Sequence, residues 1–334
     1  MIRIATLYES GLGRNDGNPL YVTSFLKRVQ YYHNLMTGRG INQELLKFFP
    51  TKELDPSAES YAKEWLEKYK EPIEIEHIAP NPDADYKKFG TFDLWIDTDW
   101  GEDGLTGILP YKPFETPHPC AVWNSDTHLG YDYRMNKSKK ADFVFCAQKQ
   151  AVSDMKRDGI LNPIWLPHAV EPLAYPKVDF ASKKYDVCFV GHVNADNRIE
   201  AMDRLFKEFP NFFYGQRLFE QAAEIYASSK IVFNISMKND TNMRCFEALA
   251  AGSFLLTDWV PDIEELFEDG KHLVLYRSLD EMVDKAKYYL AHDDERQSIA
   301  EAGYQHVMNN HTIGHRVDRI LTEFLNSRKE TVCA

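Results

Sequence analysis

The sequence predicts an α/β protein with two Rossmann-like domains that face each other across a central cleft. Three observations predict this class. Short apolar runs alternate with amphipathic segments along the chain, a pattern typical of parallel sheets covered by helices on both faces. The alternation is interrupted once, by a proline-rich stretch, and then restarts. The 334 residues are enough for two domains of about 150 residues each.

The first domain is predicted over residues 1–165. Apolar runs that end in polar residues predict its strands at 2–9, 73–79, 92–97, 120–125 and 142–147. After the first run, Asn18 and Pro19 predict a helix start, because asparagine caps helices and proline favours the first helical position. Residues 42–70 predict further helical structure.

The second domain is predicted over residues 183–312. Prolines between residues 163 and 176 resist helix formation and favour an extended linker, which we place at 166–182. Strands are then predicted at 185–191, 212–215, 230–235, 253–258 and 272–276, with helices at 198–209, 218–228 and 242–251. The final helical segment, within 313–334, follows the completed second sheet, a position from which it can cross back to the first domain.

Composition and charge argue against several classes of function. The net charge of −12 disfavours nucleic acid as a partner, because the chain lacks the broad positive field that holds a phosphate backbone. No apolar run is long enough to span a membrane, and the first residues lack the pattern of a secretory signal. The five scattered cysteines have no metal-binding spacing and fit a cytoplasmic protein with reduced thiols.

The stretch NMRCFEALAAGSFLLTD, residues 242–258, carries the central predicted site. Its helix begins at the carboxyl end of a strand, where Rossmann-like sheets bind ligands. The helix N-terminus offers amide donors and partial positive charge to a phosphate, and Arg244 adds a planar cation. Glu247 lies three residues further on the same helix face, where it can accept hydrogen bonds from a ribose. A diphosphate joined to a ribose fits this pattern; the alternative is a surface ion pair between the two side chains.

These residues resemble the CgeB-like glycosyltransferases, a group with the two-domain GT-B fold. The resemblance is carried by R-x-F-E-A-L-A-x-G-x-F-L-L-T-D, by the following E-E-L-F-x-x-G-K, by YDVCFVGHVNADNR and by WNSDTH. It covers residues 183–325 well and 90–180 more loosely. The resemblance implies a metal-independent enzyme without a cofactor, which transfers a sugar from a nucleoside diphosphate, first of all UDP, to an acceptor hydroxyl. It also implies that Glu247 holds the ribose and Arg244 the diphosphate.

A bacteriophage DNA glucosyltransferase that acts on modified cytosine is similar at two further points. Its glycine-ended strand followed by arginines resembles the run from Gly191 through His192 to Arg198, which implies donor contacts there, with Arg198 on phosphate. Its catalytic aspartate after an aromatic-rich strand resembles Asp126, which implies a general base for the acceptor hydroxyl. His128 would orient this base or contact the sugar. The alternatives are a turn or N-cap aspartate and an ordinary loop histidine.

Further candidates come from loops that would face the cleft. The backbone of Tyr214 and Gly215 would frame the nucleotide base, unless this is a plain core strand. Gly13 follows the first strand and would contact donor or acceptor, with Arg14 beside it. His168, in the linker, would contact the sugar phosphate; the alternative is a linker histidine with no functional role.

Two positions bear on mechanism. Asn239 stands where many retaining relatives carry a glutamate, which favours inversion. Asp97 and Asp99 have the spacing with which GT-A enzymes hold a metal, but a GT-A chain would not carry a second βα domain, so we interpret them as an acidic loop at the mouth of the cleft. Three functions remain as alternatives: a DNA-modifying glycosyltransferase, a nucleotide-sugar epimerase and a catalytically silent nucleotide-sugar-binding subunit.

Overall fold

The computed structural model describes residues 1–7, 21–39, 45, 55–78, 85–98, 117–178, 183–193 and 196–333. The chain divides into two compact units, Met1–Pro167 together with Ile313–Ala334, and His168–Thr312. Each unit contains one parallel β-sheet with flanking helices. No helix in the described ranges combines the length and apolarity needed to cross a bilayer.

Within the described ranges, the first unit contains β1 (Ile2–Leu7), α1 (Val22–Met36), α2 (Pro56–Tyr69), β2 (Ile73–Ile78), β3 (Leu94–Thr98), β4 (Cys120–Asn124), α3 (Tyr131–Ser138), β5 (Phe143–Cys146), α4 (Lys149–Arg157), β6 (Pro163–Trp165) and α11 (Ile313–Cys333). The second unit contains β7 (Tyr185–Val190), α5 (Asp196–Glu208), β8 (Phe212–Gly215), α6 (Phe219–Ala227), β9 (Ser229–Asn234), α7 (Met243–Ala250), β10 (Leu255–Asp258), α8 (Ile263–Leu266), β11 (Val274–Tyr276), α9 (Leu279–Ala291) and α10 (Asp293–Asn310).

The first sheet has the strand order β2-β1-β3-β4-β5-β6, with every pair parallel. Strands β3 and β4 are buried along their whole length, as expected when helices cover both faces. Pro163 begins β6 at the edge of this sheet, a place that tolerates proline because its missing N–H costs no ladder hydrogen bond. The extended character predicted from the prolines therefore includes a strand that the sequence analysis did not assign.

Helices α1 and α2 pack together, and α11 packs on both from the far end of the chain. The sequence predicted helix over 42–70, and its described part contains α2. Asp55 caps α2 by accepting hydrogen bonds from the amides of Ser57 (3.0 Å) and Ala58 (3.2 Å), and it pairs with buried Arg28 at 2.7 Å. The helix start predicted at residues 18 and 19 lies outside the described residues.

The second sheet has the order β11-β10-β9-β7-β8 and is also parallel. Its described strands and α5, α6 and α7 fall where the sequence predicted strands and helices. The sequence analysis did not assign α9 and α10. Helix α10 packs against α7; at Gly303 of α10, a Cβ atom would collide with Cδ2 of Leu249 in α7 and with the carbonyl oxygen of His272. The glycine therefore permits this close approach.

Candidate functional site

The second sheet has its topological switch point between β7 and β9. From β7 the chain moves to β8 on one side, and it then returns past β7 to β9 on the other. Because such crossovers are right-handed, α5 and α7 lie on opposite faces; α5 packs against α9, whereas α7 packs against α6 and α10. The segments that follow β7 and β9 diverge, and doubly wound sheets bind ligands at the carboxyl edge where this happens.

Two predicted arginines meet at this point over one aromatic ring. The guanidinium carbons of Arg244 and Arg198 lie 4.4 Å and 5.8 Å from the centroid of the Phe189 ring. Arg244 Nε donates to the carbonyl oxygen of Val190 at 2.7 Å. Arg198 Nε and Nη2 donate to the carbonyl oxygen of Ile235 at 3.2 Å and 3.0 Å. Ring stacking and carbonyl hydrogen bonds therefore hold both cations in fixed positions.

No carboxylate in the described part of the chain lies within ion-pairing distance of either guanidinium. Burial and, to a smaller extent, the charge of Arg244 lower the pKa of Arg198 to about 10, against the opposite effects of Asp240 and Asp258. Neighbouring cations that are partly removed from water are unfavourable unless an anion joins them. The arrangement therefore favours an anionic ligand.

Gly191 makes room for Arg244. Its φ is +150°, and a Cβ atom there would collide with Nη2 of Arg244. The Gly191 amide donates to the carbonyl oxygen of Gly215 at 3.0 Å. Beside it, the ring of Tyr214 is stacked on Phe189 with 6.3 Å between centroids, and Tyr214 is 39% exposed. Gly191, Tyr214 and Gly215, which were predicted to lie at the donor site, therefore lie together at the ends of β7 and β8.

The N-terminus of α7 is open. The side chain of its N-cap residue Asn242 makes no capping hydrogen bond. The amides of Met243 and Arg244 have no acceptor among the residues that the structure describes. Asn239 precedes the helix in a left-handed conformation, with φ of 55°, and is exposed. Free amides and the partial positive charge of the helix thus add to the charge of the arginines.

Glu247 lies one turn after Arg244 and is half-buried. Burial raises the pKa of the Glu247 carboxyl, while a hydrogen bond with Tyr175 and the charge of Arg244 lower it. Arg244 donates to the carbonyl oxygen of Val190 and to Oδ1 of Asn234. Arg244 and Glu247, both described, form no ion pair with each other. The alternative of a surface ion pair is therefore wrong, and Glu247 remains a candidate acceptor of ligand hydroxyl groups.

In the first unit, Asp126 follows β4 and is half-buried, with a left-handed φ of 46°. It precedes the 3-10 turn Thr127–Leu129, which contains His128, but its carboxylate makes no capping hydrogen bond. Gln148 holds the turn instead, because its Oε1 accepts from the amide (3.2 Å) and hydroxyl (2.8 Å) of Thr127. The Asp126 carboxylate is therefore not used as an N-cap.

The structure corrects the interpretation of Asp97 as part of an acidic loop. Asp97 lies within β3, is 4% exposed and forms an ion pair with Lys137 at 2.7 Å. Its position in a buried strand places the carboxylate against this lysine rather than in a loop. Asp99, Gly13 and Arg14 lie outside the described residues.

Two predicted histidines contribute differently. His192 is exposed, and its carbonyl oxygen accepts from Arg198 Nη1 at 3.1 Å, so its described contribution comes from the backbone. His168 is 6% exposed and begins the second unit.

Sequence reasoning missed three residues of the arginine site. Phe189 supports both guanidinium groups, Asn234 accepts from Arg244 Nη1 at 2.5 Å, and Tyr175 bonds to Glu247. Asn234 had a usable signal, since it is a polar residue at the end of an apolar strand. Phe189 resembles any core aromatic residue in the sequence, and Tyr175 is 72 positions before its partner.

A cavity of about 320 Å³ opens beside this site, at the carboxyl ends of β9, β10 and β11. Its walls include Ile235, whose carbonyl oxygen holds Arg198, and Asp258. Burial raises the pKa of Asp258, which accepts hydrogen bonds from the amide and hydroxyl of Ser236. Arg198 and Arg244 do not line this cavity, so it adjoins the candidate anion site without containing it.

Comparisons with known proteins place this geometry in context. Residues 183–322 match the model of a family described as "Glycosyl transferase-like", and no curated protein matches the sequence. A sucrose-phosphate synthase from Thermosynechococcus elongatus matches with 11% identity and a TM-score of 0.54 over 100% of both chains. Anabaena HepE in complex with UDP and glucose matches with 11% identity and a TM-score of 0.56, over 98% of this chain and 100% of that one. A glycosyltransferase from Rickettsia africae matches with 10% identity and a TM-score of 0.55 over 97% of both chains.

At these identities the solved structures show the fold alone. The narrower resemblance to CgeB-like enzymes and to the bacteriophage DNA glucosyltransferase stays a prediction. The chain has the GT-B fold, with two parallel sheets each flanked by helices, and its residues 183–322 are similar to the glycosyl transferase-like family.

Proposed function

We propose that this protein is a glycosyltransferase that moves a sugar from a nucleoside diphosphate, UDP in the first place, to an acceptor hydroxyl. The observation that carries the proposal is the pair of guanidinium groups of Arg198 and Arg244, which share one ring and have no described carboxylate partner. A diphosphate supplies the missing negative charge. Anabaena HepE, which has the same fold, was solved with UDP and with UDP-glucose.

The donor half of the mechanism follows from these positions. As the bond from the sugar to the diphosphate breaks, negative charge grows on the leaving diphosphate. Cations and amides that are already fixed stabilise this charge without reorganising, which lowers the barrier. In this proposal Arg244, Arg198 and the start of α7 act on the diphosphate. Glu247 accepts hydrogen bonds from the ribose, and Tyr214 with Gly215 frames the base.

For the acceptor half, we propose Asp126 as the general base that removes the proton of the attacking hydroxyl. The support is that its carboxylate makes no capping hydrogen bond and is held by a left-handed backbone, a conformation that clusters at functional sites. His128 assists it from the same turn. Asn239, in place of the glutamate of retaining relatives, favours inversion, with direct attack by the acceptor on the sugar.

The donor proposal is tested by calorimetric titration with UDP, uridine and inorganic pyrophosphate. Arg244→Ala should weaken binding of UDP and pyrophosphate about tenfold to a hundredfold, because charged hydrogen bonds are lost, and should leave uridine binding unchanged. Arg3→Ala is the matched control, since Arg3, in the first unit, also stacks on an aromatic ring, that of Phe92, at 4.7 Å. Equal losses in both variants, or a wild-type protein that binds no nucleoside diphosphate, would contradict the proposal.

A further inference from the structure

One buried amide connects the arginine site to the start of α7. Asn234 ends β9 and is 1% exposed. Its Oδ1 accepts from Arg244 Nη1 at 2.5 Å and from Asn242 Nδ2 at 3.2 Å. Its Nδ2 donates to Thr257 Oγ1 at 2.9 Å and to Cys245 Sγ at 3.4 Å. The Asn234 side chain is therefore fully used and cannot rotate without losing several contacts.

The bond from Asn242 explains why α7 has no cap. Asparagine is among the best N-cap residues, because its side-chain oxygen accepts from the second or third helical amide. Here Nδ2 of Asn242 is held by Asn234, and its Oδ1 is buried without a hydrogen-bond partner in the described part of the chain. The residue suited to cap the helix is thus turned away from that task, and the first amides stay available.

A second, independent observation points to a ligand at this place. Thr241, directly before Asn242, is only 8% exposed, yet its hydroxyl has no partner among the described residues. Buried hydroxyl groups are almost always hydrogen-bonded. An unsatisfied hydroxyl, free helical amides and a guanidinium group without a carboxylate partner together match an oxyanion, which accepts hydrogen bonds from all three.

We infer that Asn234 is a positioning residue, which fixes Arg244 and at the same time keeps Asn242 from capping α7, so that the helix start stays open for an anion. The inference rests on the proposed function only for the identity of that anion as the donor diphosphate. Without Asn234, Arg244 loses an acceptor and Asn242 is free to occupy the helical amides itself.

The test is titration of the full chain with inorganic pyrophosphate, UDP and uridine. Asn234→Ala should weaken pyrophosphate and UDP binding about tenfold or more, with uridine binding unchanged. Asn211→Ala removes an exposed asparagine that donates to the carbonyl oxygen of Lys184, and it should leave all three affinities unchanged. Retained pyrophosphate affinity in Asn234→Ala, or an equal loss for uridine, would overturn the inference.

Asn234→Asp separates positioning from a purely structural role. Its carboxylate keeps the two accepted hydrogen bonds but cannot make the two that Nδ2 donates to Thr257 Oγ1 and Cys245 Sγ, so thermal stability should fall, as it should in Asn234→Ala. Because the carboxylate still holds Arg244 and Asn242 while its charge partly offsets that of Arg244, pyrophosphate affinity should lie between those of Asn234→Ala and wild type. An affinity no better than that of Asn234→Ala would contradict the positioning role. If the wild type binds pyrophosphate but not UDP, and Asn234→Ala weakens the binding of pyrophosphate, the result supports the inference and contradicts the proposed function. Equal UDP affinities of wild type and Asn234→Ala contradict the inference and support the proposed function. A wild-type protein that binds neither pyrophosphate nor UDP contradicts both the inference and the proposed function.

Discussion

At the scale of single residues, Gly191 sets the position of the Arg244 guanidinium. Gly191→Ala would place a Cβ against Nη2 of Arg244, and we expect UDP affinity to fall about tenfold or more as the cation is displaced. Gly270→Ala is the control: its φ is +74°, but nothing lies within 4 Å of the added Cβ. It should cost about 1 kcal/mol of stability from backbone strain and leave UDP affinity unchanged. Calorimetry and urea unfolding measure the two effects, and equal UDP affinities in both variants would contradict the steric argument.

Glu247 should make the free energy of unfolding depend on pH. Burial raises the pKa of its carboxyl above the ordinary 4.5. Between pH 4.5 and this raised pKa, the Glu247 carboxyl binds more protons in the folded state than in the unfolded state. The contribution of Glu247 to stability is therefore complete below pH 4.5 and is lost as the pH rises through the raised pKa. Glu247→Gln removes this loss, and the melting temperature of the variant relative to wild type should rise from pH 4 toward neutral pH.

The same substitution should weaken UDP binding about tenfold, because a carboxylate acceptor for the ribose is lost. Glu224→Gln, at an exposed position of α6, is the control for both measurements. A melting-temperature difference that stays flat with pH would show that burial of Glu247 does not govern its titration.

At the scale of elements, α11 shows how distant segments complete a unit. It packs on α1 and α2, and Leu321 on its buried side is 0% exposed. Leu321→Ala should reduce the free energy of unfolding by about 2–5 kcal/mol through lost burial and the cavity left behind. Leu161→Ala, in the same unit at 85% exposure, should change it by less than about 0.5 kcal/mol. Urea unfolding measures both, and a small effect at Leu321 would show that α11 adds little to the first unit.

Also at this scale, the elements that could be predicted are those with a local signal. Strands β3, β4, β7 and β9 are apolar runs ended by polar residues, and the structure has strands at these places. Strand β6 was missed because three residues beginning with proline resemble a linker until a neighbouring strand is known. Asp97 ends the predicted strand 92–97 but was interpreted as part of an acidic loop, because acidic residues alone do not show where β3 ends; its ion pair with Lys137, 40 positions away, is not visible in the sequence.

At the scale of the whole molecule, turnover requires an acceptor and its base. Asp126→Asn should lower the rate of sugar transfer about a hundredfold or more and leave UDP affinity unchanged, since the variant keeps the arginine site. Asp132→Asn, at an exposed position of α3, is the control. Full turnover in Asp126→Asn would contradict the proposal that Asp126 is the general base. Product analysis by mass spectrometry and NMR follows the reaction.

The same assay separates the alternatives for the whole protein. A sugar epimer formed from donor alone would indicate an epimerase, and UDP binding without turnover across an acceptor panel would indicate a silent binding subunit. Acceptor affinity that falls steeply with salt would indicate DNA, against the expectation from the net charge of −12.

The sequence by itself determined the alternation of strands and helices and the placement of Arg244 and Glu247 on one face of α7, because these depend on periodicity over a few residues. Only the tertiary structure decided that Arg198 and Arg244 share the ring of Phe189, that Gly191 opens the space for one of them, and that Asn234 governs the start of α7. The physical reason is that these contacts join residues from different strands and helices, which become neighbours only when the parallel sheet brings the carboxyl ends of β7 and β9 side by side.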